Sequence, residues 1–423
     1  MRATRLTPDE AVKRAAERPA DEVDPALVEQ VEEIRARVLG QGDEALLELT
    51  NSLDCVDAPI DRVVVDPVEA RNALDQLDTG LRRALELAAA NIRAVAEASR
   101  QPTSTTVELP QGHEVEVERL ALEAAGVYAP GGRASYPSSV LMGAIPADVA
   151  GVDRTVLVTP PGPNGRIDPV TLAAAEISGV GEIYSVGGAQ AVFALAYGTA
   201  SIEPVDVIVG PGNRWVQEAK RRVFGEVALD SIAGPSDLTV IFGAEADHDL
   251  VAVDLAAQAE HGVDSLVVAV ALAGADLGRV MSDIEEIAAV QPTVADCELW
   301  LVEAGETAEA VRVVEAIAPE HLELIGAEAE GLVGQISNAG CVFVGRSSAT
   351  AFGDYVAGSN HILPTDGSAR SFGPLSVNTF QKPISRVTLT QEAADLLAEP
   401  TAVIADSEGF PVHGLSALRR KSK

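Results

Sequence analysis

Apolar positions in the first hundred residues recur at helical spacing on otherwise acidic faces, which predicts helices including 25–39 and 79–99. A β-branched run, Arg62-Val-Val-Val-Asp66, breaks that pattern, and Pro67 behind it suits the first turn of a further helix. Glu114-Val-Glu-Val-Glu118 then alternates as an exposed strand does. From Gly126 onward short apolar runs alternate with helical segments. Strands are predicted over Val127–Ala129, Thr155–Val158, Ile183–Val186, Val205–Val209, Leu238–Phe242, Ser265–Val270, Glu298–Val302 and Cys341–Val344. Such alternation predicts an α/β fold with two parallel sheets of the doubly wound kind. Beyond about residue 375 it gives way to a helical stretch near 391–398 and a polar tail. A segment that short holds no core of its own, so it is expected to dock elsewhere, for instance on a second subunit.

Length supports more than one core, because 423 residues exceed the roughly 250–300 at which a single core stops growing. Hydrophobic residues make up 47% but aromatics only 4%, so the core is expected to consist of Ala, Val, Leu and Ile, as in sheets covered on both faces. The 64 acidic against 31 basic residues give a formal charge of -33 without an acidic tail, which argues against a nucleic-acid partner. Only five of the basic residues are lysines: Lys13, Lys220, Lys382, Lys421 and Lys423. Concentrated salt screens the self-repulsion of such a surface, so a halophilic source is expected; an ordinary acidic protein is the alternative. Cys55, Cys297 and Cys341 stand far apart without CxxC spacing and read as buried, reduced thiols of a cytosolic protein. The start, Met-Arg-Ala-Thr-Arg-Leu-Thr-Pro, lacks the apolar core of a signal peptide, and no apolar run is long enough to span a bilayer. A cytoplasmic location without a membrane partner is therefore expected.

Three glycine-rich turns separate predicted strands from helices: Pro130-Gly-Gly132, Gly187-Gly-Ala-Gln190 and Gly210-Pro-Gly-Asn213. Each can present backbone N–H groups and a positive helix end to a phosphate. None is a GxGxxG fingerprint, and a glycine at such a turn can equally serve only to reach positive φ. Three in one half of the chain favour binding, since ligands occupy the carboxyl ends of such strands.

Four of the six histidines lie in short polar clusters: Gln258-Ala-Glu-His261, Pro319-Glu-His321, Asp354-Tyr-Val-Ala-Gly-Ser-Asn-His361 and Glu408-Gly-Phe-Pro-Val-His413. Asp254-Leu-Ala-Ala-Gln258-Ala-Glu-His261-Gly262 reads as the last turns of a helix ended by glycine, so Gln258 and His261, three apart, share a face. An amide oxygen and an imidazole there could grip one metal ion, to which Asp354 can add a hard oxygen and His413 a second imidazole. Taken singly, a histidine near a helix end is more often a cap or a surface residue than a metal ligand. Glu320 and His321 follow Pro319 at the foot of a helix; their joint use requires a bend, since neighbours on a regular strand point to opposite faces. A carboxylate and an imidazole side by side can each move a proton near neutral pH, and the alternative is a solvent-exposed polar turn.

The chain resembles the histidinol dehydrogenase family over nearly its whole length. The resemblance rests on Tyr128-Ala-Pro-Gly-Gly132 with Tyr136-Pro-Ser-Ser-Val-Leu-Met142, Gly187-Gly-Ala-Gln190, Gly210-Pro-Gly-Asn213 and Ala233-Gly-Pro-Ser236. It continues through Gln258-Ala-Glu-His261-Gly, Pro319-Glu-His321-Leu-Glu, Gly353-Asp-Tyr, Asn360-His361-Ile-Leu-Pro-Thr and Glu408-Gly-Phe-Pro-Val-His413. It implies two Rossmann-like doubly wound domains with small N- and C-terminal extensions, assembled as a homodimer. The corresponding division is 1–24 as an arm, 25–127 with 237–375 as a first domain carrying most of the site, 128–236 as an NAD-binding domain, and 376–423 docking on the partner.

The resemblance further implies one zinc ion per subunit held by Gln258, His261, Asp354 and His413, with His413 and Glu408 reaching the partner's site. Ser236, His321 and Glu408 are then substrate contacts beside the metal residues, and Tyr128, Gln190 and Asn213 are NAD contacts. The implied reaction oxidises the amino alcohol histidinol to histidine with two NAD consumed per turnover; His321 serves as base in the first step and Glu320 activates water for the second. His361 is either an assistant or a structural neighbour of Asp354. Two rivals remain: a relative acting on another small polar alcohol, and a protein in which zinc only staples the fold. Glu408 and Ser236 favour histidinol, and the absence of cysteine from the set speaks against the staple.

Overall fold

The computed structural model describes residues 1–18, 24–55, 57–131 and 135–422; Gly132, in the first glycine turn, lies outside them. Two six-stranded sheets organise the chain. The first has the order Arg2–Leu6, Glu298–Glu303, Leu266–Ala271, Asp237–Phe242, His321–Ile325, Cys341–Val344, with every pairing parallel. The second runs Val64–Val65, Glu182–Ser185, Arg154–Thr159, Ala124–Tyr128, Val207–Val209, Ala228–Leu229, parallel except for its antiparallel first strand. The winding is the same in both. A central strand comes first, the next two lie on one side and the last two on the other, and an earlier strand closes the edge.

Alternation within each strand explains why both faces are covered. In the second sheet Ala125, Val127, Leu157 and Ile183 enter one core cluster, and Ala124, Tyr128, Val156 and Tyr184 enter the opposite one. Likewise Leu238, Val240 and Val267 face one way in the first sheet, whereas Ile241, Leu266 and Val268 face the other. Helix Pro137–Ala150 is apolar all round and almost wholly buried, as a helix between layers must be. Its Gly143 lies so close to the second sheet that a Cβ would come within 2.5 Å of Val127.

The eight expected strands are all present, within a few residues at their ends. Two more join them. His321–Ile325 is fully buried although His321 and Glu323 interrupt its apolar pattern, and Arg2–Leu6 pairs with Glu298–Glu303. The packing also corrects the expected division. Residues 25–127 were grouped with 237–375, but Leu27, Val31, Val38 and Leu46 pack with Val192 and Phe193, and Leu85, Ala88 and Ile92 pack with Leu141 and Leu157. Their apolar faces, and the edge pairing of Val64–Val65 with Glu182–Ser185, belong to the second sheet. Within the expected N-terminal arm, Arg2–Leu6 supplies an edge strand of the first sheet.

A third, antiparallel sheet of Gln381–Leu389, His113–Ala121 and Ser104–Glu108 leads into helices Gln391–Ser407 and Pro411–Leu418, which pack on each other. Pro411 occupies the first turn of its helix, where its missing N–H costs nothing. Leu396, Val403, Ile404, Phe410, Val412 and Leu415 remain exposed on this segment. Cys55 and Cys297 are buried free thiols as expected, whereas Cys341 is only half-buried. No helix among the described residues is long and apolar enough to cross a membrane.

Candidate active site

Ser236 stands just before the central strand Asp237–Phe242 of the first sheet, and Gln258 ends helix His248–Gln258 on its way to the neighbouring strand. Helix Thr307–Ile317 closes at Ala318, held at φ 50°, a left-handed conformation that costs an alanine about 1 kcal/mol or more. That turn delivers Glu320 ahead of the strand that His321 opens, so the two side chains converge where a straight strand would part them. Asp354 comes from helix Thr350–Tyr355, which packs on the Gln258 helix.

These residues form a continuous polar chain. Gln258 Nε2 donates to Ser236 Oγ at 2.7 Å, and Ser236 Oγ donates to Glu320 Oε2 at 2.6 Å. The Asp237 N–H donates to the same oxygen at 3.2 Å, and Glu320 N–H donates back to Asp237 Oδ1 at 2.9 Å. His321 lies between carboxylates, its Nδ1 3.7 Å from Glu320 Oε2 and its Nε2 3.5 Å from Asp354 Oδ1. Burial pushes the Glu320 carboxyl up to about 7, against the charge of His321, and Asp237 up to about 6. Burial alone would discharge His321, but Glu320 and Asp354 outweigh it and hold the imidazole proton up to about 9. Burial also opposes the Asp354 carboxylate, yet contact with His321 keeps its pKa below the ordinary value.

His361 is occupied structurally. Its Nε2 meets Ser139 Oγ at 3.0 Å, its Nδ1 meets the Asp354 carbonyl at 3.0 Å, and Asn360 Nδ2 donates to the Met142 carbonyl at 2.8 Å. Through Ser139 and Met142, on helix Pro137–Ala150, these bonds tie the Asp354 segment to the helix covering the second sheet. His261 is exposed at the end of its turn, and its ring interacts with the Asp354 carboxylate. Gln258, His261 and Asp354 thus supply an amide oxygen, an imidazole nitrogen and a carboxylate oxygen, a donor set whose chemistry fits zinc. Among the described residues no group of three or more His, Cys, Asp and Glu side chains converges as a metal centre within one chain. Glu408 and His413 are not brought to this set. Both are exposed on the C-terminal segment, where His413 stacks on Phe410 at 5.2 Å between ring centres.

The second sheet contributes differently. Tyr128 ends its central strand, buried, with its hydroxyl accepting from the Gly188 N–H at 3.1 Å. Gln190, two residues after Gly188, is buried with both side-chain polar atoms lacking a protein partner, which suits a polar ligand. A Cβ on Gly131 or Gly187 would come within 2.9 or 2.5 Å of Pro160, so the backbones crowd against one proline. Pro160 and Gly131 also line a cavity of about 610 Å³ with Pro130, Thr159, Asn164 and Arg166. Asn213 caps helix Arg214–Val223, accepting from the Trp215 and Val216 N–H groups.

Several residues here lay outside the expectations drawn from sequence. Lys220 is buried and bonds Asp230 Oδ1 at 2.6 Å and the Gly210 carbonyl at 2.7 Å, pinning the third glycine turn. Asp237, Asp254 and Glu323 are further buried or half-buried acids around the polar chain. The last two carried a readable sign, since Asp254 is four residues before Gln258 and Glu323 two after His321.

Two doubly wound sheets, the first bearing a buried chain of proton-handling groups at one edge, define an α/β enzyme. The histidinol dehydrogenase family model matches residues 16–421. Histidinol dehydrogenase of Pseudomonas aeruginosa is 42% identical over 94% of this chain and 91% of its own, and that of Bacillus subtilis 40% identical over 98% and 96%. The crystal structure of histidinol dehydrogenase from Elizabethkingia anophelis superposes with a TM-score of 0.92 at 31% identity, covering 99% of this chain and 98% of that one. The chain belongs to the histidinol dehydrogenase family and is an oxidoreductase.

Proposed function

We propose that this enzyme carries out the last oxidations of histidine biosynthesis in the cytoplasm, converting L-histidinol through L-histidinal to L-histidine. The observation that carries the reading is the chain from Gln258 through Ser236, Glu320 and His321 to Asp354, with a carboxyl poised to titrate near 7. NAD supplies the hydride acceptor, two molecules per turnover, and one zinc ion per subunit supplies a template for the imidazole and amine of the substrate. Gln258, His261 and Asp354 hold the ion together with His413 of the partner subunit. Ser236, His321 and the partner's Glu408 complete the substrate contacts in a homodimer with exchanged C-terminal segments, which covers the exposed apolar side chains of that segment.

Tyr128, Gln190 and Asn213 orient the dinucleotide. His321 takes the alcohol proton in its neutral form as hydride leaves; because its carboxylate neighbours hold its own proton up to about 9, the first oxidation is expected to rise with pH towards that value. Glu320, already fixed by Ser236 and the Asp237 N–H, then removes a proton from the water that adds to the aldehyde. His361 acts through structure, since both its ring nitrogens are engaged within the fold. The surface charge suits a salt-rich cytoplasm. The test is NADH formation with histidinol in high salt, with zinc and then with chelator. Two NADH per histidinol, lost on chelation, are expected; no NADH with zinc present overturns the reading.

A further inference from the structure

Behind the polar chain lies a second group of side chains that the reaction does not use. Glu323 is buried on the strand that begins with His321. Its Oε1 accepts from both the Thr350 N–H and the Thr350 hydroxyl at 2.7 Å. Its Oε2 is buried without an N–H or hydroxyl donor. The carboxyl that meets it is that of Asp254, from helix His248–Gln258. Two carboxylates in such contact cannot both be ionised, and the orphan oxygen is satisfied only when one proton lies between them. Thr350 already favours the charged form of Glu323, so the proton resides on Asp254, whose O–H donates to Glu323.

Each member stands one structural repeat from a residue of the proposed site. Asp254 is one helical turn before Gln258, Thr350 one turn before Asp354, and Glu323 two strand positions after His321, on the same face. We infer that Asp254, Glu323 and Thr350 form a proton-sharing clasp that sets the mutual positions of Gln258, His321 and Asp354. They are positioning residues, and the inference rests on the proposed reading of those three as site residues. Three elements fixed to one another at one level can hold their side chains in register only at the next, which is how a supporting layer preorganises a site.

The clasp has a pH signature. Burial, reinforced by Glu323, pushes the Asp254 carboxyl from 3.8 up to about 8. Charged groups on the packed elements are His321 on the same strand as Glu323, Asp354 beyond Thr350, Asp237 on the central strand, Glu260 and His261 beyond Gln258, and Arg279, Asp283, Glu285 and Glu286 on helix Leu277–Val290, where Arg279 pairs with Asp283 at 3.7 Å. Of these His321 acts on Glu323 directly and favours its ionised form, which leaves the proton on Asp254. The folded chain keeps a proton that the unfolded chain has released, so stability is lost as pH climbs from about 4 to about 8.

The full-length enzyme tests this with Asp254→Asn and Asp254→Leu. Asparagine retains an N–H donor to Glu323 and is expected to keep kcat within about twofold of wild type at pH 7. Leucine removes the donor and is expected to lower kcat at least tenfold while the KM for NAD stays unchanged. In denaturant unfolding, wild type is expected to lose stability relative to Asp254→Asn as pH rises from about 4 to about 8, and no further above that. A wild-type kcat in Asp254→Leu, or a flat stability difference across that range, overturns the clasp. If Asp254→Leu does not fold, the Asp254→Asn difference decides alone. A wild-type enzyme inactive on histidinol sinks the functional reading instead, and the stability difference still decides whether the proton is shared.

Discussion

The two sheets are wound alike and used at opposite ends. In the second sheet the candidate dinucleotide residues follow the carboxyl ends of the strands, where helices begin: Tyr128, the Gly187 turn and the Gly210 turn. In the first sheet the polar chain gathers at the amino ends, where helices finish: Gln258 closes one helix, and Glu320 and His321 follow the end of another. Helix N-termini offer free N–H groups and partial positive charge, whereas C-termini offer carbonyls and partial negative charge. The first environment suits a pyrophosphate, and the second suits a metal cation and an imidazolium. On the proposed reading, one fold repeated twice would serve the two halves of a hydride transfer by presenting opposite edges.

Mutations at the two edges should separate cleanly. The largest effect belongs to His321→Ala, expected to lower histidinol oxidation by about a thousandfold, as removal of a general base does. Glu320→Gln should spare that step and slow oxidation of histidinal supplied directly. Equal losses in both steps, followed by stopped-flow NADH absorbance, would undo the division of labour. Next comes His413→Ala, expected to weaken zinc retention by one to two orders of magnitude. In mixed dimers with one tagged subunit, the defect should fall in the site of the partner; a defect in its own site excludes the exchange. At the other edge, Gly187→Ala drives a Cβ to 2.5 Å from Pro160 and is expected to raise the KM for NAD about tenfold. The KM for histidinol should not move, and a shift there would mean that the two edges do not act separately.

What the sequence revealed follows the same contrast. The four inner strands of the second sheet are near-continuous apolar runs, so their existence could be read directly. The strand His321–Ile325 could not, because His321 and Glu323 break the apolar run that burial normally demands, and each is buried beside a polar partner, Glu320 for the one and Thr350 for the other. Grouping 25–127 with the wrong sheet has a similar origin. Amphipathic helices declare a buried face without declaring which sheet receives it, and only tertiary packing chooses. Asp254 and Thr350 are ordinary helical positions until Glu323 is seen between them. The histidine clusters stood out in the sequence, whereas the pairing of Asp254 with Glu323 did not, because a charge in a buried place is intelligible only with its partner.

The smallest expected effect tests whether the amino-end chain is electrical as well as geometric. Glu320 titrates near 7 chiefly because burial disfavours its charge, and the Ser236 hydroxyl at 2.6 Å is among the groups pulling the other way. If Glu320 must be ionised to activate water, histidinal oxidation should rise as pH passes about 7. Ser236→Ala removes a hydrogen bond to the charged form, so the carboxyl becomes harder to ionise and the acid limb should move to higher pH. The plateau at alkaline pH should fall less than the rate at pH 6, since excess base restores the carboxylate without the hydroxyl. A Ser236→Ala profile lowered by one factor at every pH would assign the serine to holding substrate alone, and the proton chain would then begin at Glu320.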